Sequence, residues 1–412
     1  MATRKLIESF AAFKNVSHTS PRSSLARPWE LRSSMMRCPS WERNCTRLIS
    51  TRSSRCVPAH FPAVLVSEPS KKPSFPGSLR SRQTPRRLTS PILPSRINRR
   101  IPRGPHPPQG LGAAYEKYGF VILRNHGVSD ALIKRSLECS KDFFALPAEK
   151  KMEYHLAGKG GARGYTAFGV ETAKGSTRHD LKEFWHLGRD LPVGHRFEQQ
   201  MPPNVLVEEG DFTEATGAVF TALDALGRRV LEALAVHLGV ERSYFANKVD
   251  EGNSILRVIH YPPLVSESED PEQALAAIEN EKGGHVRAAA HEDINLITLL
   301  LGADEGGLQL LRRDGRWMEV TPPPGCVTCN IGDMLQRLTN HRLPSTTHRV
   351  VNPTAARAKF PRYSMPFFLH PNPDFVIDTL ESCVSETYPN KYPTPITSDE
   401  YLQQRLREIK LK

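Results

Sequence analysis

From Ile255 onward the chain predicts a mainly β architecture with flanking helices, its sheets antiparallel and either closed or stacked as two layers. Three observations carry this. Short β-rich runs recur there, separated by Gly, Pro and Asp turns. The preceding stretch, 212 to 238, has a helical apolar stripe at Phe220, Leu223, Leu226, Val230 and Leu234, which suits packing against a sheet. About 300 residues remain after a basic leader, enough for one large domain.

The elements follow in order. Leu111 to Tyr118 reads as the end of a helix, Phe120 to Arg124 as a short strand, and Asn125 to Gly127 as a turn. Ser129 or Asp130 caps a helix running to about Phe144, and Pro147 starts another. Ile294 to Leu301 is a buried strand by its apolar run, and Met365 to Leu369 belongs to a second. This divides the chain into a leader at 1–108, a helical part at 109–250, a β core at 251–375 and a helical C-terminal segment at 376–412.

Candidate chemistry lies in HVRAAAHEDINLITLLL and TTHRVV, where His291, Asp293 and His348 form H-x-D followed by a distant histidine. In an extended chain, residues two apart point the same way, so His291 and Asp293 can bind one metal together. His348 would join them from a strand not neighbouring in sequence. Two imidazoles and one carboxylate suit iron(II) with open positions, and so O2 chemistry. Downstream, Arg362 and Ser364 in PRYSMPFFLHP sit on alternate positions of an otherwise apolar strand, where a guanidinium and a hydroxyl can grip a carboxylate. Triad and clamp together imply a cosubstrate that chelates iron and ends in a carboxylate.

These stretches, with YGFVILRNHGV at 118–128, RVIHYPP at 257–263 and GLQLLRRDGRWMEV at 307–320, resemble the isopenicillin N synthase-like superfamily of iron and 2-oxoglutarate-dependent oxygenases. Its bacterial members look closest, and the likeness covers roughly residues 109–412. The resemblance implies a distorted double-stranded β-helix, or jelly roll. It implies that His291, Asp293 and His348 hold Fe(II), and that Arg362, Ser364 and Tyr261 bind 2-oxoglutarate. The activity implied is oxidative decarboxylation of 2-oxoglutarate to succinate and CO2, coupled to hydroxylation, desaturation or cyclisation of a small soluble molecule. Ile259 stands where many plant members carry asparagine. Arg362 follows His348 by 14 residues where about ten is usual in the family, and Arg357 is its competitor at nine. We prefer Arg362 because it alone heads R-x-S on the apolar strand.

Around this site, Asp333 is either a support for the imidazoles or a turn residue, and Asn330 and Gln336 are candidates to line the pocket. The glycine-rich stretch 158–175 lacks a phosphate-loop pattern and reads as a wall over the site. Arg163, Tyr165, Phe168 and Lys182 to His186 are the candidate substrate contacts there. Ethylene formation from 2-oxoglutarate itself is an alternative outcome at the same site. A zinc hydrolase could use the same triad but would have no use for the Arg362 clamp.

Residues 1 to 110 carry 21 Lys or Arg against 4 Asp or Glu, a net of +17, and 15 of the 34 prolines. The rest of the chain nets −5. Such a leader builds no core and is expected to lie outside the fold, as a disordered tail, a transit-like segment or translation from upstream of the true start. Phe61 to Val66 is its one short apolar run resembling a strand. The leader's charge allows only nonspecific nucleic-acid contact, as in a non-catalytic module carrying a nucleic-acid-binding tail. Seven cysteines, an odd number, with no signal-peptide pattern and no long apolar stretch, point to a cytoplasmic chain with no membrane partner. Cys326 and Cys329, three apart on a strand, face opposite ways and do not suit a dithiol pair. Oligomeric state is left open.

Overall fold

The computed structural model describes residues 107–158, 161–171, 179–280, 286–302 and 306–408, with the backbone alone at 63–64 and 107–109. Most of the 1–108 leader, and parts of the glycine-rich stretch, lie outside the described residues. The chain divides into two units, 1–60 and 61–412, and all that follows concerns the second.

A two-residue strand, β1 (Ala63–Val64), precedes helix α1 (Pro107–Tyr118) and strand β2 (Phe120–Leu123). Gly119 turns the corner between the last two with a φ of +67°, and a Cβ there would stand 2.2 Å from Thr346 Oγ1. Helices α2 (Asp130–Phe144) and α3 (Ala148–Met152) begin after Ser129 and Pro147, although the Ser129 side chain makes no capping bond. Strands β3 (Gly164–Thr166) and β4 (Glu183–Gly188) lead to the long helix α4 (Phe212–His237). Next come β5 (Ile255–Tyr261), α5 (Pro271–Asn280), β6 (Ala288–His291), β7 (Ile297–Leu301), β8 (Leu308–Leu311) and β9 (Trp317–Glu319). The chain continues with β10 (Val327–Ile331), α6 (Asp333–Leu338), β11 (His348–Val350) and β12 (Arg362–Leu369). It ends with β13 (Val376–Ile377), β14 (Ile396–Thr397) and α7 (Ser398–Glu408), so the expected helical C-terminal segment also holds a small strand pair.

Eight strands form one antiparallel sheet in the order β1-β2-β10-β7-β12-β5-β4-β3, and four form another, β6-β11-β8-β9. Helices hold more residues than strands, so the expectation of a mainly β chain is corrected to a mixed α/β fold with antiparallel sheets. Among the described residues neither sheet closes on itself or on the other by hydrogen bonds. Helix α4 packs on β12, β4, β5 and β7 of the larger sheet, with α1 and α2 packed against it, and these helices carry much of the core that the apolar strands alone did not announce.

Helix α4 packs there through its apolar stripe. Phe220, Leu223, Leu226, Val230 and Leu234 are all buried, each worth about 1.5–3 kcal/mol of transfer from water. Gly227 lets the helix sit close, since a Cβ there would meet Leu369 Cδ1 of β12 at 2.4 Å. The sheet's other face is then left for the four-stranded sheet, and a cavity lies between the two.

At one edge the leader reaches the sheet. Ala63 and Val64 pair with Leu123 and Ile122 of β2, so the expectation that residues 1–108 stand wholly outside the fold is corrected at these two positions. The physical reason is that β2, paired on its other side with β10, offers a free row of backbone donors and acceptors.

Candidate active site

The metal-type residues come together where the small sheet meets the turn before β7. His291 ends β6 and His348 begins β11, and the two are direct partners across this antiparallel pair. The third ligand candidate thus sits on an adjacent strand of the sheet, although 57 residues away in sequence. Asp293 lies beyond β6, in the turn before β7, because the strand expected at Ile294 starts only at Ile297. One ligand atom from each residue falls within 4.8 Å of the others. Each Nε2 stands 3.8 Å from Asp293 Oδ1.

The remaining polar atoms of all three are engaged elsewhere. His291 Nδ1–H donates to the Ala289 carbonyl at 2.7 Å and His348 Nδ1–H to that of Thr346 at 3.0 Å, which places the proton on Nδ1 and leaves both Nε2 lone pairs inward. Asp293 Oδ2 accepts from Thr298 Oγ1 at 2.6 Å and Asn330 Nδ2 at 2.8 Å, so Oδ1 is the oxygen left for a cation. Burial raises the Asp293 pKa, but His348, His291 and these two donors outweigh it and hold the carboxylate below its ordinary range. Burial and the neighbouring His348 ring lower the pKa of His291, an effect softened by the 37 % of that side chain open to the cavity.

The turn carrying Asp293 is clamped by the start of α6. The amides of Gly332, Asp333 and Met334 donate to the carbonyls of Leu296, Asp293 and Ile294, so the otherwise unpaired N–H groups of a helix end fix a ligand's backbone. A Cβ on Gly332 would meet the Asn295 carbonyl at 2.2 Å. Asp333 therefore supports the site through its amide rather than by touching an imidazole; its carboxylate turns away to Arg405 of α7 at 3.1 Å. Burial pushes that carboxyl up to about 6 despite Arg405. Asn330 lines the cavity as expected, whereas Gln336 does not and instead accepts from the Ser345 amide.

The second cluster lies on the large sheet. Arg362 opposes Tyr261 and Ser364 opposes Ile259 across β12 and β5, and all four line the cavity with less than 7 % exposure. Arg362 Nη1 donates weakly to Ser364 Oγ at 3.4 Å, its Nε has no protein acceptor, and its guanidinium lies 5.0 Å from the Tyr261 ring. A buried cation with an unanswered donor is costly unless an anion joins it. Arg357, the rival, is exposed in the 3-10 turn Ala355–Arg357, against Phe360.

A third group went largely unread in the sequence. Arg257, Ile259 and Tyr261 share one face of β5, and Arg257 enters the cavity beside Lys182. Glu171 binds both cations, at 2.7 Å from Lys182 Nζ and 3.1 Å from Arg257 Nη2, and Asp180 takes Lys182 at 2.8 Å. Arg257 Nε donates to His186 Nε2 at 2.6 Å. Arg163, by contrast, does not line the cavity: it is 1 % exposed and packs against Gly188, where a Cβ would be 2.0 Å from its Cζ. Trp185 and Tyr165 belong to the core. The signal for Arg257 was its place two residues before Ile259, on the same strand face.

Comparison with known proteins gives these geometries a family. Residues 108–209 match the model of the non-haem dioxygenase N-terminal region, described for morphine synthesis, and residues 252–371 that of the 2OG-Fe(II) oxygenase superfamily. A 2-oxoglutarate-Fe(II) type oxidoreductase, hxnY of Emericella nidulans, is 32% identical over 305 residues, covering 72% of this chain and 82% of its own. A 2OG-Fe(II) oxygenase family protein of Caulobacter crescentus is 52% identical with a TM-score of 0.65, covering 73% of this chain and 93% of its own. A full-length Neurospora crassa protein, solved in complex with alpha-KG and thymine, is 32% identical at a TM-score of 0.61, covering 73% and 90%. The chain belongs to the 2OG-Fe(II) oxygenase superfamily. It is a 2-oxoglutarate-dependent dioxygenase that uses Fe(II) and O2 and acts on a small organic substrate. No helix among the described residues is long and apolar enough to cross a membrane.

Proposed function

We propose that His291, Asp293 and His348 are the iron ligands and that Arg362, Ser364 and Tyr261 receive the distal carboxylate of 2-oxoglutarate. The observation that carries this reading is one cavity bounded by both clusters: three inward acceptor atoms within 4.8 Å, and a buried guanidinium with an unanswered Nε. The residues fit the groups. Two neutral imidazoles and a carboxylate suit a divalent ion, and Arg362 with Ser364 suits a carboxylate. When bound, iron supplies the activation of O2 that couples 2-oxoglutarate decarboxylation to substrate oxidation. The chain's own part is to orient and shield: Ala289 and Thr346 fix the imidazoles, Thr298 and Asn330 aim Asp293, and Phe120, Leu300, Ile259 and Phe368 wall the cavity with apolar surface.

We read the two antiparallel sheets as halves of a distorted double-stranded β-helix, with residues 251–375 as its core and 109–250 as a helical part that also lends strands to the large sheet. The 52% identity to the Caulobacter protein supports a place in the bacterial branch, although fungal relatives also match well. The odd cysteine number supports a cytoplasmic setting. Hydroxylation is the outcome we favour over ethylene formation. Succinate release tests the reading: anaerobically iron-loaded protein given 2-oxoglutarate and then O2 releases succinate faster when a substrate is added. Absence of any succinate, from a chain that binds iron, would defeat it.

A further inference from the structure

Resting on that reading of the cavity, we propose that Lys182 and Arg257 form the prime-substrate subsite and select a small, flat, uncharged ring that presents a carbonyl oxygen, a cyclic amide or imide. Both side chains line the cavity that holds the metal-type triad, yet neither belongs to the cosubstrate clamp. Donors are left over on each. Arg257 donates two of its five N–H, Nη1 to Glu171 and Nε to His186, with Nη2 also 3.1 Å from Glu171 Oε1, and Lys182 donates to Asp180 and stands 2.7 Å from Glu171 Oε2. The spare N–H groups call for an acceptor.

Charge decides which acceptor. Two cations are already matched by two carboxylates, one for one. Those salt bridges shift both partners in the stabilising sense: Glu171 falls well below the carboxylate range and Lys182 rises, since mutual attraction outweighs burial at each. A substrate carboxylate would have to displace Glu171 or sit as a surplus buried charge, while a neutral carbonyl takes the spare donors without upsetting the balance. Shape points the same way. The Arg257 guanidinium lies 4.3 Å from the Phe184 ring and 5.5 Å from that of Phe368, and Ile259 and Pro366 add apolar wall, so the donors stand among flat and apolar surfaces. His186 holds the guanidinium's back edge: burial pushes its pKa well down, its Nδ1–H donates to Gly161, and its Nε2 accepts from Arg257.

The test is calorimetry on anaerobic, iron-loaded protein, with and without 2-oxoglutarate, using thymine and glutarimide as neutral probes and benzoate as the charged one. Wild type should bind the neutral probes at least about tenfold better than benzoate, as expected when a surplus buried charge must be accommodated. Arg257→Met should weaken the neutral probes by roughly tenfold or more while leaving 2-oxoglutarate within about twofold. Glu171→Gln, which removes one counter-charge, should move the preference toward benzoate. The proposal is overturned if no neutral probe binds wild type, if Arg257→Met leaves their binding unchanged, or if Glu171→Gln leaves the preference unmoved. That last arm decides alone should Arg257→Met fail to fold. Failure of wild type to bind 2-oxoglutarate is a separate result and would sink the cosubstrate reading instead.

Discussion

At the His291 end of the cavity the inward polar atoms are acceptors, two imidazole Nε2 and Asp293 Oδ1, whereas at the Lys182 and Arg257 end they are donors. Both ends are held from behind. Each imidazole is held by the carbonyl two residues before it, and the cations by carboxylates at salt-bridge distance. The difference lies in what the backing does to charge. Carbonyls leave the acceptor end short of a cation, while Glu171 and Asp180 leave the donor end neutral. The two ends therefore prepare one cavity for a metal ion on one side and an uncharged polar molecule on the other.

Removing the one charged acceptor should break this contrast most completely. Asp293→Ala is expected to lower iron affinity by more than the roughly 100-fold that even outer partners of a ligand can cost, and to abolish succinate release. An iron titration checks it, and unchanged metal binding would remove Asp293 from the site. A subtler change sharpens the same point: Asn330→Ala leaves Asp293 present but frees Oδ2 from one donor, and iron affinity should fall by roughly 10–100-fold. If iron titrates as in wild type, Asn330 only fills space.

Away from both ends, His370 should add its own share to the pH dependence of the metal-free chain, beside those of the buried His186 and of His291. His370 is 7 % exposed, and burial lowers its pKa to about 4 from an ordinary 6.5. Between those values the unfolded chain binds a proton that the folded chain refuses. Stability is then full above about pH 6.5 and falls by about 1.4 kcal/mol per unit as pH drops toward 4. Melting curves of wild type and His370→Asn across this window test it, and identical slopes would place the acid sensitivity elsewhere.

The smallest effect concerns the leader. Deleting residues 1–60 should leave the melting temperature unchanged, whereas deleting 1–105 also strips β1 from β2 and should cost on the order of 1 kcal/mol, the scale of one or two backbone hydrogen bonds. Iron binding should survive both deletions. Equal melting of the two shortened chains would show that β1 contributes nothing.

The acceptor end was legible because its chemistry is local: His291 and Asp293 are two residues apart, and the Arg362–Ser364 spacing repeats that period on a strand that is otherwise apolar. The donor end was not, because Glu171, between β3 and β4, and Arg257 of β5 are 86 residues apart and meet only in the folded chain. Arg163 looked equally suited on the page, and only packing distinguishes a guanidinium buried against Gly188 from one facing the cavity. The helical share of the fold was underread for a related reason. The stripe of α4 announced itself, but that α4, with α1 and α2 packed against it, would cover a sheet to which the N-terminal part lends β2, β3 and β4 depends on long-range pairing. Thr298 is likewise ordinary in sequence and acquires its role only because the turn before β7 folds Asp293 back upon it.

In the proposed reading, one cavity joins an iron site to a carboxylate clamp headed by Arg362. An anaerobic titration of the iron-loaded chain with 2-oxoglutarate, followed by visible absorption, tests it most directly. Wild type should show a weak, saturable charge-transfer band. Binding should weaken by about 2–5 kcal/mol in Arg362→Ala, because truncation removes the charged partner of a desolvated carboxylate, and barely at all in Arg357→Ala. No band in wild type, or a shift in Arg357→Ala in place of Arg362→Ala, would contradict it.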